Sequence, residues 1–152
     1  MKGDKVVALC DKNCNIIAPF VAAPGNRNES KMFIGSLKSL KNIAKAIGAN
    51  IAGSILSLDG VYNCRKNRKA IFNAGMTPNI NENKRNRKKN KKGRKQIFSQ
   101  KIFEARFYTI ERVFAWEDKF KRLLLRFERK SMHHYALKLL AYTMINLRHF
   151  CT

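Results

Sequence analysis

Residues 103–129 read FEARFYTIERVFAWEDKFKRLLLRFER, and the spacing of their apolar side chains decides how the rest of the chain is arranged. Phe103, Phe107, Ile110 and Phe114 recur at helical intervals, and the stripe resumes at Leu123, Leu124 and Phe127. The spacing predicts one long amphipathic helix. Glu111 falls on its apolar side, four residues after Phe107 and three before Phe114, so a carboxylate is turned toward the core. Such a group costs on the order of several kcal/mol unless a cation or a set of donors compensates it. Two readings compete. Either Arg106, Arg112 or another basic residue pairs with Glu111, or the carboxylate binds metal, which requires a second acid elsewhere.

Composition narrows the search for that acid. The chain has 152 residues, the size of one domain with a real core, and 45% of them are apolar. Its charge is unusual: 32 Lys and Arg against 10 Asp and Glu give +22. An excess of this size favours polyanions, nucleic acid before an anionic membrane surface. The four cysteines, Cys10, Cys14, Cys64 and Cys151, are irregularly spaced, and no apolar leader precedes them, which points to reduced thiols in the cytoplasm. Cys10 and Cys14 with His133, His134 and His149 match no common zinc spacing. The longest apolar run, Leu139 to Leu147, is too short to span a bilayer, so no membrane partner is expected.

In chain order, KVVALC (5–10) and NIIAPFVA (15–22) predict a β-hairpin across the polar link Asp11 to Cys14. Asn28-Glu29-Ser30 offers caps for a helix carrying Leu37, Leu40, Ile43, Ala44 and Ile47 on one side, ended by Gly48. IAGSILSL (51–58) predicts a strand buried on both faces, followed at once by Asp59-Gly60. An acid just past such a strand sits where α/β folds place functional groups, and equally where a turn aspartate would cap the next helix. RKNRKAIFN (65–73) reads as a short basic helix stopped by Gly75, and MTPNI (76–80) as a short edge strand, because Pro78 lacks a ladder donor. The basic insertion at 82–100 contains KRNRKKNKKGRK (84–95), with nine basic residues in twelve. Lys84, Arg85, Arg87, Lys88, Lys89, Lys91, Lys92, Arg94 and Lys95 can neutralise many phosphates, which gives salt-sensitive, sequence-independent attraction. Ser131 is placed to cap a last helix, apolar over much of its circumference through Tyr135, Leu139, Tyr142 and Leu147.

An acid at a strand end and an acid on the inner face of a later helix together suit divalent metal. Two Mg²⁺ ions about 4 Å apart can activate an attacking oxygen and stabilise the leaving oxygen of a phosphoryl displacement. Mg²⁺ fits because it takes few carboxylates and keeps its remaining positions for water and phosphate.

The runs NIIAPFVAAPGNRNES (15–30), LDGVYNCRKNRKAIFNAGMTPNINENKRN (58–86), YTIERVFAWEDKFKRLLLRFERK (108–130) and YALKLLAYTMINLRHF (135–150) resemble DDE transposases of bacterial insertion sequences, closest to the group with an ERxFAW segment. The resemblance implies a ribonuclease H-like α/β fold, a mixed sheet flanked by helices, that nicks element ends and joins the freed 3′ hydroxyl to target DNA. It implies Mg²⁺ or Mn²⁺ held by Asp, Asp and Glu, with Asp59 matching the second Asp and Glu111 the Glu, in a cytoplasmic, nucleoid-associated bacterial enzyme. Asn63 stands where the family often has a further acid. The family's tyrosine, arginine, glutamate, lysine signature is loosely met by Arg106, Lys119 and Arg122, which would be accessory phosphate contacts. Members carry the first catalytic Asp on a strand upstream of the hairpin, and here only Met1-Lys2-Gly3 precede it. Asp4 and Asp11 match neither position nor context. The expectation is therefore a partial catalytic domain, residues 1–152, lacking its first, central strand and inactive alone, which partners an upstream transposase fragment or forms a homo-oligomer. The alternative is a non-catalytic basic nucleic-acid-binding protein.

Overall fold

The computed structural model describes residues 4–82, 96–148 and 151. The hairpin forms as expected. Strand β1 (Asp4–Cys10) pairs antiparallel with β2 (Ile16–Pro24), with register irregularities between Val7 and Cys10. Asp11 holds the turn with its own side chain, Oδ1 accepting from the backbone N–H of Asn13 (2.9 Å) and Asn15 (2.8 Å). Cys14 completes it in left-handed backbone, φ 66°.

Helix α1 (Glu29–Ala46) begins where its capping signal lies: Asn28 Oδ1 accepts from the Ser30 N–H (2.9 Å), and Glu29 places an anion in the first turn. Its stripe of Phe33, Leu37, Leu40 and Ala44 is buried. Ile47, expected on that stripe, is the C-cap and is exposed, and Gly48 at φ 67° ends the helix. Strand β3 (Ile55–Leu58), helix α2 (Arg65–Asn73) and strand β4 (Thr77–Ile80) form a parallel β-α-β unit in which Leu56 lies opposite Pro78. Among the described residues β4 has no other strand neighbour, so Pro78 sits on an edge strand as its missing donor requires.

Two expectations fail. The region 103–129 is not one helix but a chain of short ones: α3 (Gln100–Ala105), a 3-10 turn at Arg106–Tyr108, α4 (Ile110–Glu117) and α5 (Lys121–Leu124). Thr109 leaves helical geometry at φ −115°, ψ −81°, and its Oγ1 donates to the Arg106 carbonyl (2.9 Å), offering the backbone an alternative to the helical ladder. The strand at 51–58 is likewise reduced to Ile55–Leu58, and Ile55 is half exposed. It is not buried on both faces: Ile55 is exposed and the other three residues are only partly buried. Helix α6 (Ser131–Leu147) closes the described chain, with Ser131 its first residue and not its cap.

The fold is mixed α/β, with two separate two-stranded sheets, β1–β2 and β3–β4. Helix α1 bridges them: its Phe33, Leu37 and Leu40 pack with Leu9 of β1, Ile71 of α2 and Ile80 of β4. Alternation along β1 then sends Ala8 and Cys10 to the opposite side, against a second core made by Val113 of α4 and Tyr142 and Ile145 of α6. Asn146 of α6 seals the start of β2. Its amide donates to the Ile16 carbonyl (2.9 Å) and accepts from the Ile16 N–H (2.8 Å).

Candidate functional site

Between the two sheets runs a cleft of about 510 Å³. Consecutive residues of β1, Val6 to Cys10, and of β3, Ile55 to Leu58, line it. In a strand, neighbouring side chains point to opposite faces, so consecutive residues can all border one space only along an edge. The cleft thus lies between the unpaired edge of β1 and that of β3, and its far wall is built by α3, the 3-10 turn and α4.

Asp59 stands at the end of β3, on this cleft. It caps the 3-10 turn Gly60–Tyr62, Oδ1 accepting from the Gly60 N–H at 2.6 Å. Of the two roles weighed for it in sequence, the structure shows the cap: one oxygen is occupied by the Gly60 N–H and the other faces Arg106. Arg106 Nη2 lies 3.7 Å from Oδ2, a loose pair with Asp59 more than half exposed. The guanidinium is held over the rings of Phe103 (4.5 Å) and Phe107 (5.1 Å), so aromatic packing fixes the cation that faces Asp59. The helical spacing of residues 103–107 does this work, though the basic partner serves Asp59 and not Glu111.

Glu111 lies in the first turn of α4 and lines the same cleft. The expectation that it points into the core is wrong: it is exposed, and among the described residues it has no ion-pair partner. The break at Thr109 is the reason, because it rotates α4 relative to the stripe drawn through Phe103 and Phe107. Two further acids border the cleft and are already engaged. Asp11 is spent on its turn, and Glu29 pairs with Lys5 (3.2 Å) and accepts from the Tyr62 hydroxyl (3.4 Å). Burial first, and Glu29 beside it, push the Tyr62 phenol far up, so it stays a donor.

The structure therefore brings Asp59, Arg106 and Glu111 to one cleft and leaves Lys119 and Arg122 off it. Arg122 instead pairs with Glu128 (2.6 Å). Lys84, Arg85, Arg87, Lys88, Lys89, Lys91, Lys92, Arg94 and Lys95 lie outside the described residues. Among the described residues no group of three His, Cys, Asp or Glu is placed to hold a metal. Asp59 and Glu111 are both solvent-accessible, and the Arg106 contact of Asp59 is loose.

Sequence reasoning missed the acid that is buried. Glu117 of α4 pairs with Lys138 of α6, both side chains about one-tenth exposed, beneath Tyr142. Burial first, and Glu117 next, raise the Tyr142 phenol far above its ordinary value. The signal was present: His134, Lys138, Ala141 and Ile145 recur at helical intervals, and Val113 and Glu117 are four apart. An apolar count passes over such a stripe because its middle is charged. His134 is also buried, which with the nearby Arg126 and Lys138 holds its imidazole below the ordinary range.

Compared with family models, with curated proteins and with solved structures, the chain matches none. No helix among the described residues is long and apolar enough to cross a membrane.

Proposed function

We propose that the chain is the C-terminal part of a DDE-type transposase, with a ribonuclease H-like ancestry, acting in metal-dependent cleavage and transfer of DNA strands and inactive alone. The observation that carries this reading is that Asp59 and Glu111, 52 residues apart in sequence, border one cleft. Asp59 and Glu111 would share Mg²⁺ or Mn²⁺, and Arg106 orients Asp59 through its free oxygen. The chemistry such a cation supplies when bound is activation of the attacking oxygen and stabilisation of the leaving one. A charge of +22 draws the phosphate backbone of element ends and target to the protein at low salt.

The same cleft gives the reading its partner. Two open strand edges facing one gap leave N–H and C=O groups that an extended segment can satisfy from both sides, joining two sheets into one. A strand from an upstream transposase fragment, bearing the first Asp, fits that description and would add the third carboxylate.

Mn²⁺ titration followed by electron paramagnetic resonance tests the shared site. Asp59→Asn and Glu111→Gln should each weaken binding roughly tenfold or more, as loss of one of two carboxylates implies. Binding that survives both substitutions would remove the metal from the proposal. The Asp59–Arg106 pair favours a second reading, a non-catalytic DNA or RNA binder in which Asp59 is structural. That reading expects metal-independent affinity in both variants.

A further inference from the structure

A second cavity, also of about 510 Å³, opens on the other side of the β-α-β unit, over helix α2. Its wall is one face of that helix. Arg65, Lys69 and Phe72 stand at i, i+4 and i+7, and Arg68 stands beside them. The opposite face, with Asn67 and Ile71, is buried in the protein. Arg65 and Lys69 are exposed and have no ion-pair partner among the described residues. Arg68 is fixed differently, Nε donating to Asn63 Oδ1 (2.9 Å) and Nη2 to the Ile80 carbonyl (2.8 Å). Phe72 is 52% exposed among these cations, where helix amphipathicity alone would place a polar side chain. Gln96 closes the cavity with a buried Oε1 that has no hydrogen-bond partner among the described residues.

Each feature asks for a different part of the same ligand. The cations ask for an anion, the open ring for a flat π surface, and the orphaned carbonyl oxygen for an N–H donor. An unpaired nucleotide carries all three: a phosphate, a base to stack, and a base amine or imide N–H. In a duplex the base is already stacked and paired, so it cannot satisfy Phe72 and Gln96. We propose that this cavity binds an unpaired nucleotide of a nucleic-acid strand, with its phosphate against Arg65 and Lys69, its base on Phe72 and a base N–H on Gln96 Oε1. The proposal rests on the nucleic-acid half of the function above and is independent of Asp59, Glu111 and metal.

Fluorescence anisotropy on the full chain, in EDTA and at fixed salt, tests it with oligothymidylate and oligouridylate of about 12 nucleotides and with a duplex of the same length. Phe72→Ala should weaken single-strand binding roughly 5- to 100-fold, the range expected for losing one stacked base, and leave duplex binding within about twofold. Phe72→Trp should bind single strands at least as well as the parent, and its added indole fluorescence should be quenched by them; this arm decides the matter if Phe72→Ala does not fold. Arg65→Gln with Lys69→Gln should lower the slope of log affinity on log salt by about 1 to 2. Equal binding of the two homopolymers makes the ligand a nucleotide of either kind, and a preference for one identifies the strand. Single-strand affinity unchanged in Phe72→Ala, an unquenched indole in Phe72→Trp, or equal losses on single strand and duplex would overturn the proposal. Because no metal is present, such a failure leaves the Asp59–Glu111 test standing, and the converse holds.

Discussion

The two halves of the molecule treat their apolar side chains in opposite ways. Around α1 the large residues close on one another: Phe33, Ile71 and Ile80 are fully buried, joined by Leu9, Leu37 and Met76. From Phe107 onward the surplus faces solvent, with Tyr108, Leu125, Phe127 and Met132 each about two-thirds exposed or more, while the interior of α4 and α6 holds the Glu117–Lys138 pair. The first half is organised by burial. The second sets a charged pair beside its apolar core, and more of its large apolar side chains reach solvent than in the first. The difference teaches that hydrophobic content alone does not locate a core; what matters is which side of each helix meets another element.

The comparison breaks most sharply at Phe33. Phe33→Ala should cost roughly 3–5 kcal/mol in urea denaturation, because the ring is fully buried in the cluster that joins α1, β1, α2 and β4. A loss under about 1 kcal/mol would mean that the first half is not a closed core at all. At Glu117 the expected effect is somewhat smaller and its logic is different. Glu117→Ala leaves the Lys138 ammonium buried without its partner and should cost about 3 kcal/mol. Replacing both, as Glu117→Leu with Lys138→Met, should recover most of that loss, since two apolar groups of similar volume need no compensation. If the double variant is no better than the single one, the unpartnered Lys138 is not the source of the loss. The smallest effect sharpens the contrast from outside: Leu140→Lys on the exposed face of α6 should change stability by no more than about 0.5 kcal/mol in the same assay.

Much of the first half is legible in sequence because its signals are local. Asn28 before an apolar stripe, Gly48 and Gly75 at positive φ, and the turn chemistry of Asp11 each fix one boundary without help from distant residues. The place of Asp59 just past a strand was legible for the same reason. What failed depends on long-range packing. Nothing in FEARFYTIERVFAW marks a break at Thr109, which contains neither glycine nor proline, so the stripe extends through it on paper and carries Glu111 to the wrong side. Strand composition says only that β1 and β3 are strands; a gap between them is implied by the family resemblance, through its missing central strand, and not by any local signal. The burial of Lys138 was hidden by an apolar run that surrounds it, because every face of α6 offered a plausible seat.

Asn146 leaves one more mark on the molecule. By meeting both backbone groups of Ile16, a single amide on a helix imitates the rung that an adjoining chain would otherwise supply. A would-be fibril arriving at this end of the hairpin finds its first foothold already taken, so stacking of copies through β2 must begin farther along the strand or not at all.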